Sequence, residues 1–427
     1  MIALGVGFFA FILIGVPVAF VFSLAALITA VMSDLPLVLI AHRFFHGLNS
    51  FTLMAIPFFL LTGLLMEAGG LARRIVDFAM ALVGWITGSL LMVAVIAATA
   101  LAAMSGSGSA DTAAVSSALL PEMKRRRYDI DFAAALIATA GTLAQIIPPS
   151  TMLVLIAVTN NLSVSALFLG GIIPGLLVVP GLLWISWHHA RRGGPNYAPQ
   201  GRFSLRDVGV TFIRALPAFG LGFVISGGIF SGIFTATEAS AVAVVYTVLV
   251  GAFVYRELTW ADIVRVTLRA GAISAAIMFL VGGAMIFNWL MATEGVPDTI
   301  AEWFQANVGS AAMFLIMMNV FLMVLGMPLE SFAMILLLSP IFLEVAVSYG
   351  LDPVHIAVVF VFNCVIAMIS PPFGGTLFVS AMIAGRPISA VTRKVYGLWA
   401  IMTAVLLLIT YVPELVLFLP RQGGFIR

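Results

Sequence analysis

Ser105-Gly106-Ser107-Gly108-Ser109-Ala110-Asp111 is the stretch that decides the fold. The apolar run from Leu90 to Ala103 precedes it, and Val115 to Leu120 follow in a second apolar arm that ends at Pro121. At membrane depth, backbone amides and carbonyls without partners are costly, so a polar break between two apolar arms must face a cavity rather than lipid. Small residues let the chain turn sharply there and bring carbonyl and hydroxyl oxygens together. The segment 90–122 therefore reads as a re-entrant hairpin with its tip at Ser105 to Asp111.

The membrane assignment rests on composition. Hydrophobic residues make up 62% of the 427-residue chain and charged residues 9%, with a mean hydropathy of +1.17. Soluble domains hold about 45–50% apolar and about 25% charged residues, so this chain needs the bilayer as solvent. Its runs approach the roughly 20 apolar residues of a spanning helix and lack the alternation of a barrel strand. Candidate segments fall at 5–31, 49–68, 90–122, 130–158, 163–188, 214–233, 236–255, 270–292, 311–346, 354–384 and 395–419. The opening Met1-Ile2-Ala3-Leu4 lacks a basic leader, so 5–31 is expected to be a permanent span. A net charge of +2 gives no surplus for nucleic acid, which is not expected as a partner. The single cysteine, Cys364, lies in an apolar run and reads as packing.

A weak internal repeat organises the rest. Laying 54–188 on 276–419 matches Gly88-Ser89 to Gly309-Ser310, the first tip to Gly326-Met327-Pro328-Leu329-Glu330, Leu120-Pro121 to Ser339-Pro340, and Pro148-Pro149 to Pro371-Pro372. The whole chain, 1–427, is one membrane domain in which repeat 1 holds hairpin 90–122 and repeat 2 holds hairpin 311–346. Arg191 to Arg206 lie in a polar linker, 189–213.

Charge placement says that the repeats are inverted. Arg73-Arg74, Lys124 to Arg127, Arg191-Arg192 and Arg256 fall on one side, the cytoplasm, if 90–122 is re-entrant. No Lys or Arg occurs from Ala270 to Gly385, whereas Glu294, Asp298, Glu302, Glu344 and Asp352 occupy the loops expected on the opposite face. The polar segments 71–86 and 297–308 read as amphipathic arms along the two interfaces.

Ile147-Pro148-Pro149-Ser150 and Ser370-Pro371-Pro372-Phe373-Gly374 place double prolines mid-span. Each pair removes two amide donors and frees carbonyls one turn earlier, so each helix must break at membrane depth. Freed carbonyls opposite a polar tip are ready ligands for a hard cation such as sodium. Ser107, Ser109, Asp111, Ser150, Glu330 and Gly374, at the tips and breaks, are the candidate substrate contacts. Asp111, Glu238 and Glu330 are the acids nearest membrane depth; Glu238 in Thr235-Ala236-Thr237-Glu238 reads equally as a helix cap. His42, His46, His188, His189 and His355 sit near span ends and read as interfacial. No metalloprotease helix motif, nucleophile elbow or Walker loop occurs, so no enzyme and no ATP-driven pump is expected.

At these motifs the chain resembles the large, DctM-like transmembrane subunit of the tripartite ATP-independent periplasmic (TRAP) transporters. Gly15-Val16-Pro17-Val18-Ala19-Phe20, Ala55-Ile56-Pro57-Phe58-Phe59 and Gly232-Ile233-Phe234-Thr235-Ala236-Thr237-Glu238-Ala239 carry the resemblance together with the tips and breaks. It implies an all-α inner-membrane protein with an elevator-type ion-transporter fold: two inverted repeats, each with a re-entrant hairpin and a broken transmembrane helix. The implied activity is sodium-driven uptake of C4-dicarboxylates, sialic acid or related carboxylates. The implied partners are a small four-helix membrane subunit and a periplasmic substrate-binding protein. The implied coupling ions are sodium, with no organic cofactor. One family sodium site maps onto Ser105, Gly108, Ala144, Ile147 and Pro149, and the other onto Gly326, Ala367, Ser370 and Phe373. The family commonly has Gly where this chain has Ala144 and Ala367, changes that carbonyl ligation tolerates. A self-sufficient sodium/carboxylate symporter or ion antiporter, and a non-transporting structural subunit, are the alternative readings.

Overall fold

A computed structural model describes residues 2–199, 202–371 and 374–426. Among them the regular structure is entirely helical. The first stretch is not one span. It forms α1 (Ile2–Leu13) and α2 (Val18–Met32), a hairpin closed where Gly15 takes φ +83° and Pro17 withholds an amide. The Phe8 and Phe22 rings meet at 5.3 Å across it. The expectation of a single span over 5–31 missed that turn because the run is apolar throughout.

α3 (Leu37–Leu48) meets α4 (Ala55–Ala68) at a bend of 62°. α5 (Leu71–Val83) is an amphipathic arm that buries Leu71, Ala72, Ile75, Val76 and Ala79. α6 (Ser89–Ser105) and α7 (Gly108–Arg125) form the first hairpin. α8 (Ile130–Gly141) breaks through a 3-10 turn at Thr142–Gln145 before α9 (Thr151–Thr159). α10 (Val164–Arg192) runs past its expected end and α11 (Leu205–Phe230) starts before its own, so the linker is shorter than 189–213 and contains a 3-10 turn at Gly194–Tyr197. Within it Tyr197 is buried and accepts a hydrogen bond from the Asp129 amide at 2.9 Å.

α12 (Ala236–Leu249) opens on a capping box between Thr235 and Glu238, which settles Glu238 as an exposed helix cap rather than a buried acid. α13 (Trp260–Thr293) has 34 residues, about 50 Å at 1.5 Å per residue and longer than a bilayer core is thick. α14 (Val296–Asn307) is the second arm, α15 (Ala311–Leu325) and α16 (Ser331–Ser348) the second hairpin, and α17 (Pro353–Ala367) and α18 (Gly375–Ala384) the second broken helix. α19 (Ile388–Tyr411) and α20 (Glu414–Gln422) close the chain. Six helices, α10, α11, α12 with its following π turn, α13, α16 and α19, are long and apolar enough to cross a bilayer by themselves. The shorter apolar helices include α6, α8, α15, α17 and α18, which belong to the hairpins and broken helices.

The order arm, hairpin, broken helix, long helix thus occurs twice. Contacts along α19 fix the relative direction of the two occurrences. Near its start, Arg386 pairs with Asp131 at 2.6 Å and Lys394 with Asp129 at 2.8 Å, both at the beginning of α8. Near its end, the carbonyl of Ile409 meets His355 Nε2 at 2.8 Å, at the beginning of α17. The equivalent helices α8 and α17 therefore start from opposite ends of the bundle. His355, in the first turn of α17 as expected of a residue near a span end, is 1% exposed, so its side chain packs inside the protein. Phe314, Phe360 and Phe362 are fully buried among the second-repeat helices, as Phe59 and Phe168 are among the first.

Candidate functional site

The two hairpin tips and two helix breaks converge. At tip 1, Gly106 takes φ +64°, which turns the chain from α6 into α7 at a conformation that only glycine adopts without cost. A Cβ there would stand 2.9 Å from the carbonyl oxygen of Pro149, so the tip rests directly on the first break. Thr151 locks the two together: its hydroxyl donates to the Gly106 carbonyl at 3.0 Å and lies 3.1 Å from the Gln145 side-chain amide. Gly108 lies against the Gly141 carbonyl and the Met368 side chain, with a Cβ reaching them at 3.2 and 3.4 Å. Ala144 and Ile147 are buried in the same break. Ser105 is fully buried; its hydroxyl accepts from the Ser107 amide at 3.3 Å, and its carbonyl faces Gly63 of α4, where a Cβ would lie 3.2 Å away.

At tip 2, a Cβ on Gly326 would fall 2.6 Å from that of Ala367, so this tip sits as tightly on the end of α17. Glu330 caps α16, accepting from the amides of Phe332 at 3.1 Å and Ala333 at 3.3 Å. In the second break the Ser370 hydroxyl donates to the Ile366 carbonyl at 2.9 Å and accepts from Trp399 Nε1 at 3.1 Å. Thr376 donates to the Met368 carbonyl at 2.9 Å. Phe373, expected in the second cation site, lies outside the described residues.

Between these elements is a cavity of about 370 Å³, within the range of small-ligand pockets. One wall is polar, with Ser107, Ser109, Gln145 and Thr151; the facing tip adds Gly326, Glu330, Ser331 and Phe332. The remainder is closed by Ile56 and Leu60 of α4 and Ile273 and Ile277 of α13. Among the described residues, no Lys or Arg lines the cavity and Glu330 is the one ionisable side chain there. Positive potential comes instead from helix ends. α7, α9, α16 and α18 all begin at or beside the cavity, and a helix N-terminus carries about half a positive charge; Ser107, Ser150 and the Glu330 carboxylate already cap the first three, whereas α18 has no side-chain cap. Such an arrangement suits an anion that is held by amide and hydroxyl donors.

Of the expected substrate contacts, Ser107, Ser109 and Glu330 line the cavity, whereas Asp111, Ser150 and Gly374 stand behind its wall. Ser150 is fully committed: it caps α9 at Leu153 and donates to the Gln145 carbonyl. Asp111 is 1% exposed, and its Oδ2 has no hydrogen-bond partner among the described residues. Gly374 packs on the Met368 carbonyl. Gln145, Met152, Ile273 and Ile277 were not expected. Gln145 could have been found one turn before the double proline, but nothing in the sequence of α13 marks the residues it contributes.

Comparisons with known proteins identify the family. Residues 6–415 match the family described as "Tripartite ATP-independent periplasmic transporter, DctM component". The C4-dicarboxylate TRAP transporter large permease protein DctM of Pseudomonas aeruginosa is 40% identical over 385 residues, 90% of each chain. The isethionate TRAP transporter permease protein DctMQ of Oleidesulfovibrio alaskensis is 38% identical over 96% of this chain and 65% of its own length. In fold alone, the chain is similar to the solved YdaH transporter of Alcanivorax borkumensis, at a TM-score of 0.57 and 14% identity, covering 87% of this chain and 86% of that one. These relatives are transporter permeases rather than enzymes, and the family's place is the inner membrane, where such apolar helices belong. The chain belongs to the DctM component of the tripartite ATP-independent periplasmic transporters, as a large permease.

Proposed function

We propose that the chain carries an organic acid, a C4-dicarboxylate, sialic acid or a related carboxylate, into the cell down a sodium gradient. In this reading the substrate occupies the cavity between the tips. One sodium ion sits at tip 1 and its break, by Ser105, Gly108, Ala144, Ile147 and Pro149, and another at tip 2 and its break, by Gly326, Ala367, Ser370 and Phe373. The observation that carries the reading is the single cavity bounded by both tips and both breaks, with helix N-termini in place of basic side chains. A carboxylate there gains from the N-termini of α7, α9 and α18, while freed carbonyls at the breaks suit a hard cation. Substrate arrives on a periplasmic binding protein, and a small four-helix membrane subunit completes the scaffold. The permease relative described as DctMQ, whose length exceeds the part matched here, supports a joint unit of that kind.

The test is reconstitution of the purified chain in proteoliposomes with an imposed sodium gradient, adding the small subunit and the loaded receptor separately and together. Accumulation that requires all three components and sodium is expected. Accumulation of free substrate by this chain alone would assign a self-sufficient symporter instead.

A further inference from the structure

A second concave site lies away from the cavity, at the bundle end where α8 starts and α10 finishes. Arg127 and Asp129 come from the turn between α7 and α8, His188, His189 and Arg192 from the end of α10, Asn196 and Tyr197 from the linker, and Arg393 and Lys394 from α19. The groove encloses about 650 Å³. Four permanent cations line it against the single carboxylate of Asp129, which already binds Lys394 at 2.8 Å. Arg127, Arg192 and Arg393 form no ion pair among the described residues and reach the groove from three separate chain segments.

A basic loop at a span end is ordinarily just a solvated, topology-setting feature. Three observations go further here. The walls are pinned: Tyr197 packs on Tyr128 at 4.2 Å, Phe132 stacks on His189 at 3.8 Å, and Asn196 holds the Arg127 carbonyl at 3.4 Å. Arg127 itself takes φ +61°, a left-handed position that a long side chain occupies at a cost of about 1–2 kcal/mol, so this cation stands where glycine or asparagine would fit more easily. Aromatic residues of the kind found at a bilayer interface flank the groove. Trp184, 60% exposed, stacks on His188 one turn before the groove, and Tyr396, 63% exposed, follows Lys394; exposed Trp and Tyr at a span end mark the bilayer interface.

We propose that this groove binds a phosphate-bearing anion at the membrane surface, with Arg127, Arg192 and Arg393 as the binding cations. An anionic phospholipid headgroup and free phosphate share this chemistry, and the exposed Trp184 and Tyr396 beside the groove favour the former. Removal of the three charges weakens binding on the order of a hundredfold, from the contribution of each cation near an anionic surface.

The experiment takes the full chain in nanodiscs of phosphatidylcholine, with or without cardiolipin, and compares inorganic phosphate with chloride at matched ionic strength. Thermal unfolding and lipid retention in native mass spectrometry are the readouts. The triple variant Arg127→Gln, Arg192→Gln, Arg393→Gln is set against Lys124→Gln, Arg125→Gln, which removes two charges outside the groove. Cardiolipin stabilisation and retention that are lost in the triple variant alone support the site with a lipid occupant. The same selective loss seen with phosphate instead supports the site with a soluble one. Equal effects of both anions on the two variants, or no effect on the wild type, overturn the proposal. Should the triple variant fail to fold, Arg393→Gln alone is measured, with a partial loss of the same kind expected and an unchanged response counting against the site.

Discussion

Replacing Gly326 with alanine probes how closely tip 2 must sit on its helix break. The new Cβ would lie 2.6 Å from that of Ala367 and 2.9 Å from the Leu322 carbonyl, whereas carbon atoms in good contact stand about 3.5–4.0 Å apart. The backbone at Gly326 is right-handed, so the change adds no dihedral strain, and the effect isolates the steric contact. Relieving it moves the tip back by about 1 Å, at a cost of about 1–3 kcal/mol for an overpacked site. If that cost falls on the sodium-bound arrangement, half-saturating sodium rises about 5- to 150-fold. The assay is sodium-dependent uptake in proteoliposomes with both partners present. Combining Gly326→Ala with Ala367→Gly removes the facing methyl and should restore most of the lost affinity, because residues in direct contact are energetically coupled. Wild-type sodium dependence in Gly326→Ala, or no recovery in the double variant, would refute the tip-on-break reasoning.

Two further outcomes are expected. With Cys364 replaced, single cysteines at positions 124 and 302 should be labelled from opposite sides of the membrane, since α8 and α17 start from opposite ends of the bundle; labelling from one side would reject the inverted arrangement. For Asp129, burial acts to raise the carboxyl, but hydrogen bonds from Lys394 and the Phe132 amide outweigh it and hold the group below its ordinary value. A depressed carboxyl stabilises the fold above its unfolded value of about 3.9 and loses that contribution as pH falls through the folded value. Asp129→Asn should therefore lower the unfolding midpoint at neutral pH, and the gap from wild type should close on acidification; a gap independent of pH would count against the pairing.

The bilayer as solvent, the polar turns and the proline breaks were legible from the residues alone. Each of these is written in local chemistry: apolar length, small polar residues where a backbone must turn, and prolines that cannot donate. Ser107, Ser109 and Glu330 were legible as cavity residues for that reason, and so was the capping alternative for Glu238, whose partner Thr235 is three residues away. The hairpin inside 5–31 was missed although Gly15 and Pro17 mark its turn, because the residues on both sides are apolar, and the packing of Phe8 on Phe22 shows that the chain folds back. Which polar residues face the cavity was a tertiary decision as well. Asp111 and Ser150 carry the same polar character as Ser107 and Gln145, but the rotation of α7 and the capping geometry of α9 turn them behind the wall. Ile273 and Ile277 are indistinguishable in sequence from lipid-facing isoleucines. The crossing of α13 against the two tips, set by side-chain packing far along the chain, is what makes them the cavity's apolar side.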